Sequence, residues 1–170
     1  MDSSFFEYLQ KLELLAFFSG YPLVYAIVFF IAGNKKSKNN FITQMVSNLP
    51  LGYALVGTLY IALQLKNLFP GYSIQNIKAA IHQPWLIIWA LLSIFFWIPA
   101  LAKRKFLSLL HSIVFFFILL FDLFLQLSSS SIVKNDMNVY TVSLLLNIGA
   151  VLLMVLLSYL FTRNKNHFPS

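Results

Sequence analysis

Five long apolar stretches, at residues 14–33, 49–65, 85–102, 106–127 and 139–161, dominate this chain of 170 residues. None contains Lys, Arg or Glu, and Asp122 is the one acid within them. An α-helix rises about 1.5 Å per residue, so about 20 residues cross the roughly 30 Å of hydrocarbon in a bilayer. Inside that medium every backbone N–H and C=O must find its partner within the chain, which leaves helices or closed barrels. Barrel strands alternate apolar and polar residues, and the run IVFFFILLF at 113–121 does not. The expected fold is therefore an all-α integral membrane protein, a single transmembrane domain over residues 1–170 built as a bundle of five transmembrane helices.

Charged residues make up 10% of the chain, against about a quarter in a soluble domain. The pieces between the stretches are short, below the roughly 40 residues that a core of their own requires. A built-in kinase, nuclease or other water-soluble catalytic domain is excluded, so any site lies among the helices or at their mouths. There is no cysteine, which removes disulfides, thiol nucleophiles and thiolate metal sites. The abundance of Phe, Ile, Lys and Asn suits a bacterial source.

A net charge of +7 invites a nucleic-acid reading, but its distribution points elsewhere. Eight basic residues (Lys35, Lys36, Lys38, Lys103, Arg104, Lys105, Arg163 and Lys165) occupy alternate connections and the C-terminal tail, with no acid among them. On the other side Lys11, Lys66, Lys78 and Lys134 are balanced by Asp2, Glu7, Glu13 and Asp136. The excess of Lys and Arg on one side predicts an N-terminus outside and a cytoplasmic C-terminus, in the bacterial cytoplasmic (inner) membrane. Such a surface attracts anionic headgroups; membrane lipids are expected partners and nucleic acid is not. The N-terminal MDSSFFEYLQKLE opens acidic, unlike a signal peptide, and the first stretch is expected to remain in the mature protein.

Local signals refine the picture. Ser4-x-x-Glu7 has the form of a capping box. Residues 41–47 are mixed in polarity and read as an interfacial turn or first helical turn, with Pro50 near the start of the second helix. The outer loop 66–84 has a turn signal at Pro70-Gly71 and Ser73 as a cap, then Ile74, Ile77 and Ile81 at helical spacing. It reads as an amphipathic helix on the membrane surface, or as a loop packed over the bundle. Lys103–Lys105 are too few to make anything but a hairpin of the third and fourth helices.

The polar residues inside the apolar stretches carry whatever chemistry there is. His111, Asp122 and Gln126 share one face of the fourth helix, His111 and Asp122 lying roughly 16 Å apart along its axis. Tyr140, Ser143, Asn147 and Ser158 share a face of the fifth. Tyr53, Gly57, Tyr60 and Gln64 share a face of the second, beside a small-residue stripe of Ala54, Thr58 and Ala62. Ionisable groups in lipid are costly and face the bundle interior, and small or amide side chains join helices there.

Two readings follow. In one, the polar residues hold helices together, Asp122 pairing with Lys66 or Lys134, and the chain is a non-catalytic subunit or scaffold of a larger inner-membrane assembly. In the other, Asp122 and His111 exchange protons or bind ions, with Gln126, Asn147, Tyr60 and Gln64 as hydrogen-bond partners, in a small proton- or ion-coupled transporter or channel. No phosphate loop, nucleophile elbow or metal-binding His pair is present, so no enzyme, metal or cofactor is expected. An intramembrane enzyme acting on lipid through Glu7, Glu13 and His82 is a third reading. The first takes precedence, with other membrane subunits or self-association as partners, because the apolar helix faces exceed what five helices can bury among themselves.

Overall fold

Each apolar stretch folds as helix, and the breaks fall where proline dictates. The computed structural model describes residues 3–34, 40–68, 83–128 and 134–165. They form α1 (Ser3–Phe18), α2 (Tyr21–Asn34), α3 (Asn40–Leu68), α4 (Pro84–Leu91), a 3-10 helix (Leu92–Trp97), α5 (Pro99–Ala102), α6 (Lys105–Ser128) and α7 (Lys134–Lys165). Among the described residues there is no strand. Four stretches are long and apolar enough to cross a membrane: Gln10–Gly33, Phe41–Asn67, Lys105–Leu125 and Met137–Phe161. The chain is thus an all-helical, multi-pass membrane protein.

The second helix begins earlier than expected. Residues 41–47 belong to α3 itself, and Pro50 lies in its interior. Pro50 has no N–H to offer the Val46 carbonyl four residues back. The Ser4–Glu7 side chains and most of the 66–84 loop lie outside the described residues.

The first apolar stretch is two helices. A turn at Ser19–Gly20 separates α1 from α2, and Pro22 supplies the reason. In an unbroken helix its ring would meet the Phe18 carbonyl, whereas at the start of a new helix its missing N–H costs nothing. Ser19 closes α1, its N–H and hydroxyl both donating to the Leu15 carbonyl at 3.1 and 2.6 Å. The Gly20 carbonyl opens α2 by accepting from the Val24 N–H at 3.2 Å.

The third stretch departs furthest from expectation. Instead of one helix over 85–102, α4 tightens into the 3-10 helix, and Ile98 is extended at φ −70° and ψ 125°. Ile98 precedes Pro99, whose ring drives the preceding residue out of the helical region, and Pro99 then begins α5. A 3-10 turn rises about 2 Å per residue, so Pro84–Trp97 reaches about 24 Å, longer than the same residues as α-helix. The segment starts beside α1, where the Gln83 N–H donates to Gln10 Oε1 at 3.4 Å. It ends with Trp97 beside Asn48, Ser158 and Phe161, at the opposite end of the bundle.

Helix α3 is central, touching α1, α2, α6, α7 and the 3-10 helix. Its contact with the 3-10 helix requires Gly57, because a methyl group there would overlap the Ser93 hydroxyl. The core is aromatic: Phe18, Tyr21, Tyr53, Tyr60 and Phe115 are fully buried and Phe96 nearly so. Phe18 stacks on Phe115 at 4.8 Å and meets Tyr53 and Tyr60 edge-on at 5.7 and 5.5 Å. Each such pair contributes about 0.5–1.5 kcal/mol beyond the area it buries. Outward, α6 shows Phe117, Phe121 and Phe124, and α7 shows Leu145, Leu152, Leu156 and Phe161.

Candidate functional site

The polar residues within the bundle gather into three separate junctions. The first is built around His111, on the inner face of α6 and only 9% exposed. Its Nε2 lies 2.8 Å from the Trp89 carbonyl and its Nδ1 lies 2.7 Å from the Tyr53 hydroxyl. A carbonyl can only accept, so Nε2 carries the hydrogen; in the neutral ring Nδ1 then accepts from the Tyr53 O–H. Trp89 returns the contact, its indole N–H donating to the His111 carbonyl at 3.1 Å. The two rings lie parallel within 4°, centroids 4.9 Å apart. Below them the Tyr21 hydroxyl meets the Ser108 hydroxyl at 2.8 Å, and Ser108 donates to the Lys105 carbonyl at 2.7 Å. The hydroxyl of Ser108 being so committed, Tyr21 is the donor. Helices α2, α3, α4 and α6 are joined through these contacts.

The second junction lies at the end of the bundle near the start of α1. Asp122 pairs with Lys11, Nζ sitting 2.8 Å from Oδ1 and 2.7 Å from Oδ2. The two side chains are 25% and 16% exposed. The partner is thus on α1, not Lys66; Lys134's side chain lies outside the described residues. Beside the pair, Glu13 accepts from Gln64 Nε2 at 3.0 Å and Asn67 Nδ2 at 3.3 Å, tying α1 to α3. A groove of about 870 Å³ between α4 and α6, walled by Trp85, Leu86, Phe117 and Phe121, has the ion pair in its lining.

The third junction mends the break in the first stretch. Ser143 and Asn147, one turn apart on α7, face the Ser19–Gly20 turn. The Gly20 N–H donates to Ser143 Oγ at 2.8 Å, and Asn147 Nδ2 donates to the Phe17 carbonyl at 2.8 Å. Backbone groups freed by the break are thereby satisfied from a neighbouring helix, as hydrocarbon demands. Gly20 is required by this approach: a Cβ there would lie 2.6 Å from the Leu144 nitrogen.

The expected polar set is therefore distributed. His111 and Asp122 sit in different junctions, with fully buried Phe115 and Leu119 filling the face between them. Gln64 binds Glu13, and Asn147 caps the break. Tyr60 packs edge-on against Phe17 at 5.4 Å, and its hydroxyl has no hydrogen-bond partner among the described residues. The Gln126 side chain and the whole of His82 and the Glu7 side chain lie outside the described residues. Among the described residues no three His, Asp or Glu side chains come together to hold a metal ion.

Several participants carried no warning in the sequence. Lys11 stands in the polar lead-in as one charge among several and Trp89 looks like an ordinary core aromatic, while Tyr53 and Glu13 stand out by type but not by partner. The break did have a signal, Pro22 two residues after Ser19-Gly20. No family model, curated protein or solved structure matches the chain.

Proposed function

We propose that this chain is a non-catalytic integral subunit or scaffold of a larger assembly in the bacterial cytoplasmic membrane. One observation carries the reading: the polar side chains of the three junctions are engaged in joining helices. Tyr53 and Trp89 take both imidazole nitrogens of His111, Lys11 takes both oxygens of Asp122, and Asn147 holds the Phe17 carbonyl. A frame fixed in this way presents the apolar faces of α6 and α7 outward to partner helices.

The chain crosses the membrane five times in this reading, its N-terminus outside and its C-terminus cytoplasmic. The fifth crossing is the α4–3-10–α5 segment, whose two ends lie at opposite ends of the bundle. Counting it puts Lys35–Lys38, Lys103–Lys105 and the basic tail on one side, as the positive-inside rule requires. Purification in mild detergent followed by mass spectrometry tests the assembly. A stoichiometric membrane partner is expected; a monomer with none contradicts the proposal.

One observation favours the alternative of a small proton- or ion-coupled transporter or channel: the Lys11–Asp122 pair lies in the wall of an open groove. In that case D122N abolishes flux in liposomes while the protein still folds. Absence of flux from the unaltered protein under any imposed gradient dismisses it.

A further inference from the structure

At the end of the bundle opposite the ion pair, a groove of about 650 Å³ runs between α3, Trp97 and α7. Leu55, Met154, Leu157 and Phe161 make much of its wall apolar. Past Leu51 and Trp97, which line both spaces, it continues into a recess of about 400 Å³ that holds Ser47, Lys103 and Lys105. No acid lines either space, and among the described residues no carboxylate pairs with either lysine. Between the apolar and basic parts stands Asn48. Its side chain is 5% exposed, and its Nδ2 is buried without a hydrogen-bond partner among the described residues. A buried donor left empty is costly, and the residue that carries it lines the groove.

We infer that this groove is a binding site for one anionic glycerophospholipid. An acyl chain lies along Leu55, Met154 and Leu157, an ester carbonyl accepts from Asn48 Nδ2, and the phosphate lies between Lys103 and Lys105. The sequence of environments (apolar, then a single neutral donor, then two cations) follows the order of groups along such a lipid. Basic pockets between membrane helices bind anionic headgroups in this manner, and each cation near the surface strengthens attachment about fivefold. A partner helix, about 10 Å across, would have no use for the two lysines unless it brought acids to this depth. The inference holds whether or not the chain has partner subunits.

The test is native mass spectrometry of the purified protein with phosphatidylglycerol or phosphatidylcholine of matched acyl chains. The unaltered protein should retain phosphatidylglycerol about thirtyfold more strongly. The double variant K103Q/K105Q should hold both lipids equally, and K66Q, at the other end of the bundle, should keep the preference. N48L should weaken both lipids together, because an ester carbonyl is common to them. M154W, which fills the groove without touching charge or Asn48, should lower retention of both lipids and serves as the second variant if N48L fails to fold. Equal retention by the unaltered protein, a preference that survives K103Q/K105Q, or one lost in K66Q overturns the site. So does cross-linking from residue 154 to a protein in place of lipid.

Discussion

His111 and Trp89 hold each other by their backbones. The imidazole Nε2–H donates to the Trp89 carbonyl at 2.8 Å, and the indole N–H donates to the His111 carbonyl at 3.1 Å, with the rings stacked between. The pair stitches the short α4 to α6, and it fixes which histidine nitrogen bears the hydrogen. Protonating Nδ1 requires Tyr53 to surrender its donated hydrogen bond and turn a lone pair instead.

That arrangement predicts a single neutral tautomer. Nitrogen NMR of ring-labelled His111 at neutral pH should show hydrogen on Nε2 and none on Nδ1. Y53F should cost about 1 kcal/mol, in the range of interhelical hydrogen bonds within membranes. A ring doubly protonated at neutral pH, or one carrying its hydrogen on Nδ1, contradicts the geometry.

Steric demand at Gly57 gives a second prediction. G57A drives a methyl group into the Ser93 hydroxyl and should destabilise the protein in detergent by about 1–3 kcal/mol. The Ser93 hydroxyl is the closest atom, so the same change in an S93A background should cost much less. Equal costs in both backgrounds would show that α3 and the 3-10 helix do not meet there.

The broken first stretch gives a third. G20A places its methyl against the α7 backbone, which cannot yield as a side chain end can. N147L leaves the Phe17 carbonyl without its amide donor. Both should lower the thermal midpoint in detergent, with a loss of unfolding free energy of about 1–3 kcal/mol for the glycine and about 0.6–2 kcal/mol for the asparagine. A midpoint unchanged in both variants would remove the junction.

Sequence and structure part company at these places for identifiable reasons. The four long helices were legible because lipid forces runs of apolar residues into helix. Asp122 and His111 were legible because a polar side chain is conspicuous in such a run. Pro22 and Pro99 both signalled breaks, but hydropathy averages across a proline as though it were any apolar residue. The partner of Asp122 was out of reach: Lys11 is 111 positions away, and only the packing of α1 on α6 brings it near. Trp89 gave no sign of its role because its contacts depend on which face α6 turns toward α4. On α7 the polar face of Ser143 and Asn147 was legible, but not that it meets the Ser19–Gly20 turn, because that contact joins residues more than 120 positions apart.

The chain has no native cysteine, which makes single-cysteine labelling clean for the membrane crossings. In intact cells, K78C should react with a membrane-impermeant reagent added outside, while K36C and K103C should react only after the membrane is opened. Labelling of K78C and K103C from the same side would mean that the α4–3-10–α5 segment does not cross.

The claim that the polar groups within the bundle fasten helices is tested most directly by a double-mutant cycle on Lys11 and Asp122, read as unfolding free energy in detergent. K11M or D122L alone strands one charge in an apolar setting, which costs about 2.5–3.5 kcal/mol at full membrane depth and less near an interface. The double variant, with both charges gone, should recover most of that loss, because an ion pair replaced by apolar side chains is close to neutral. Single variants as stable as the unaltered protein, or losses that simply add, would contradict the account.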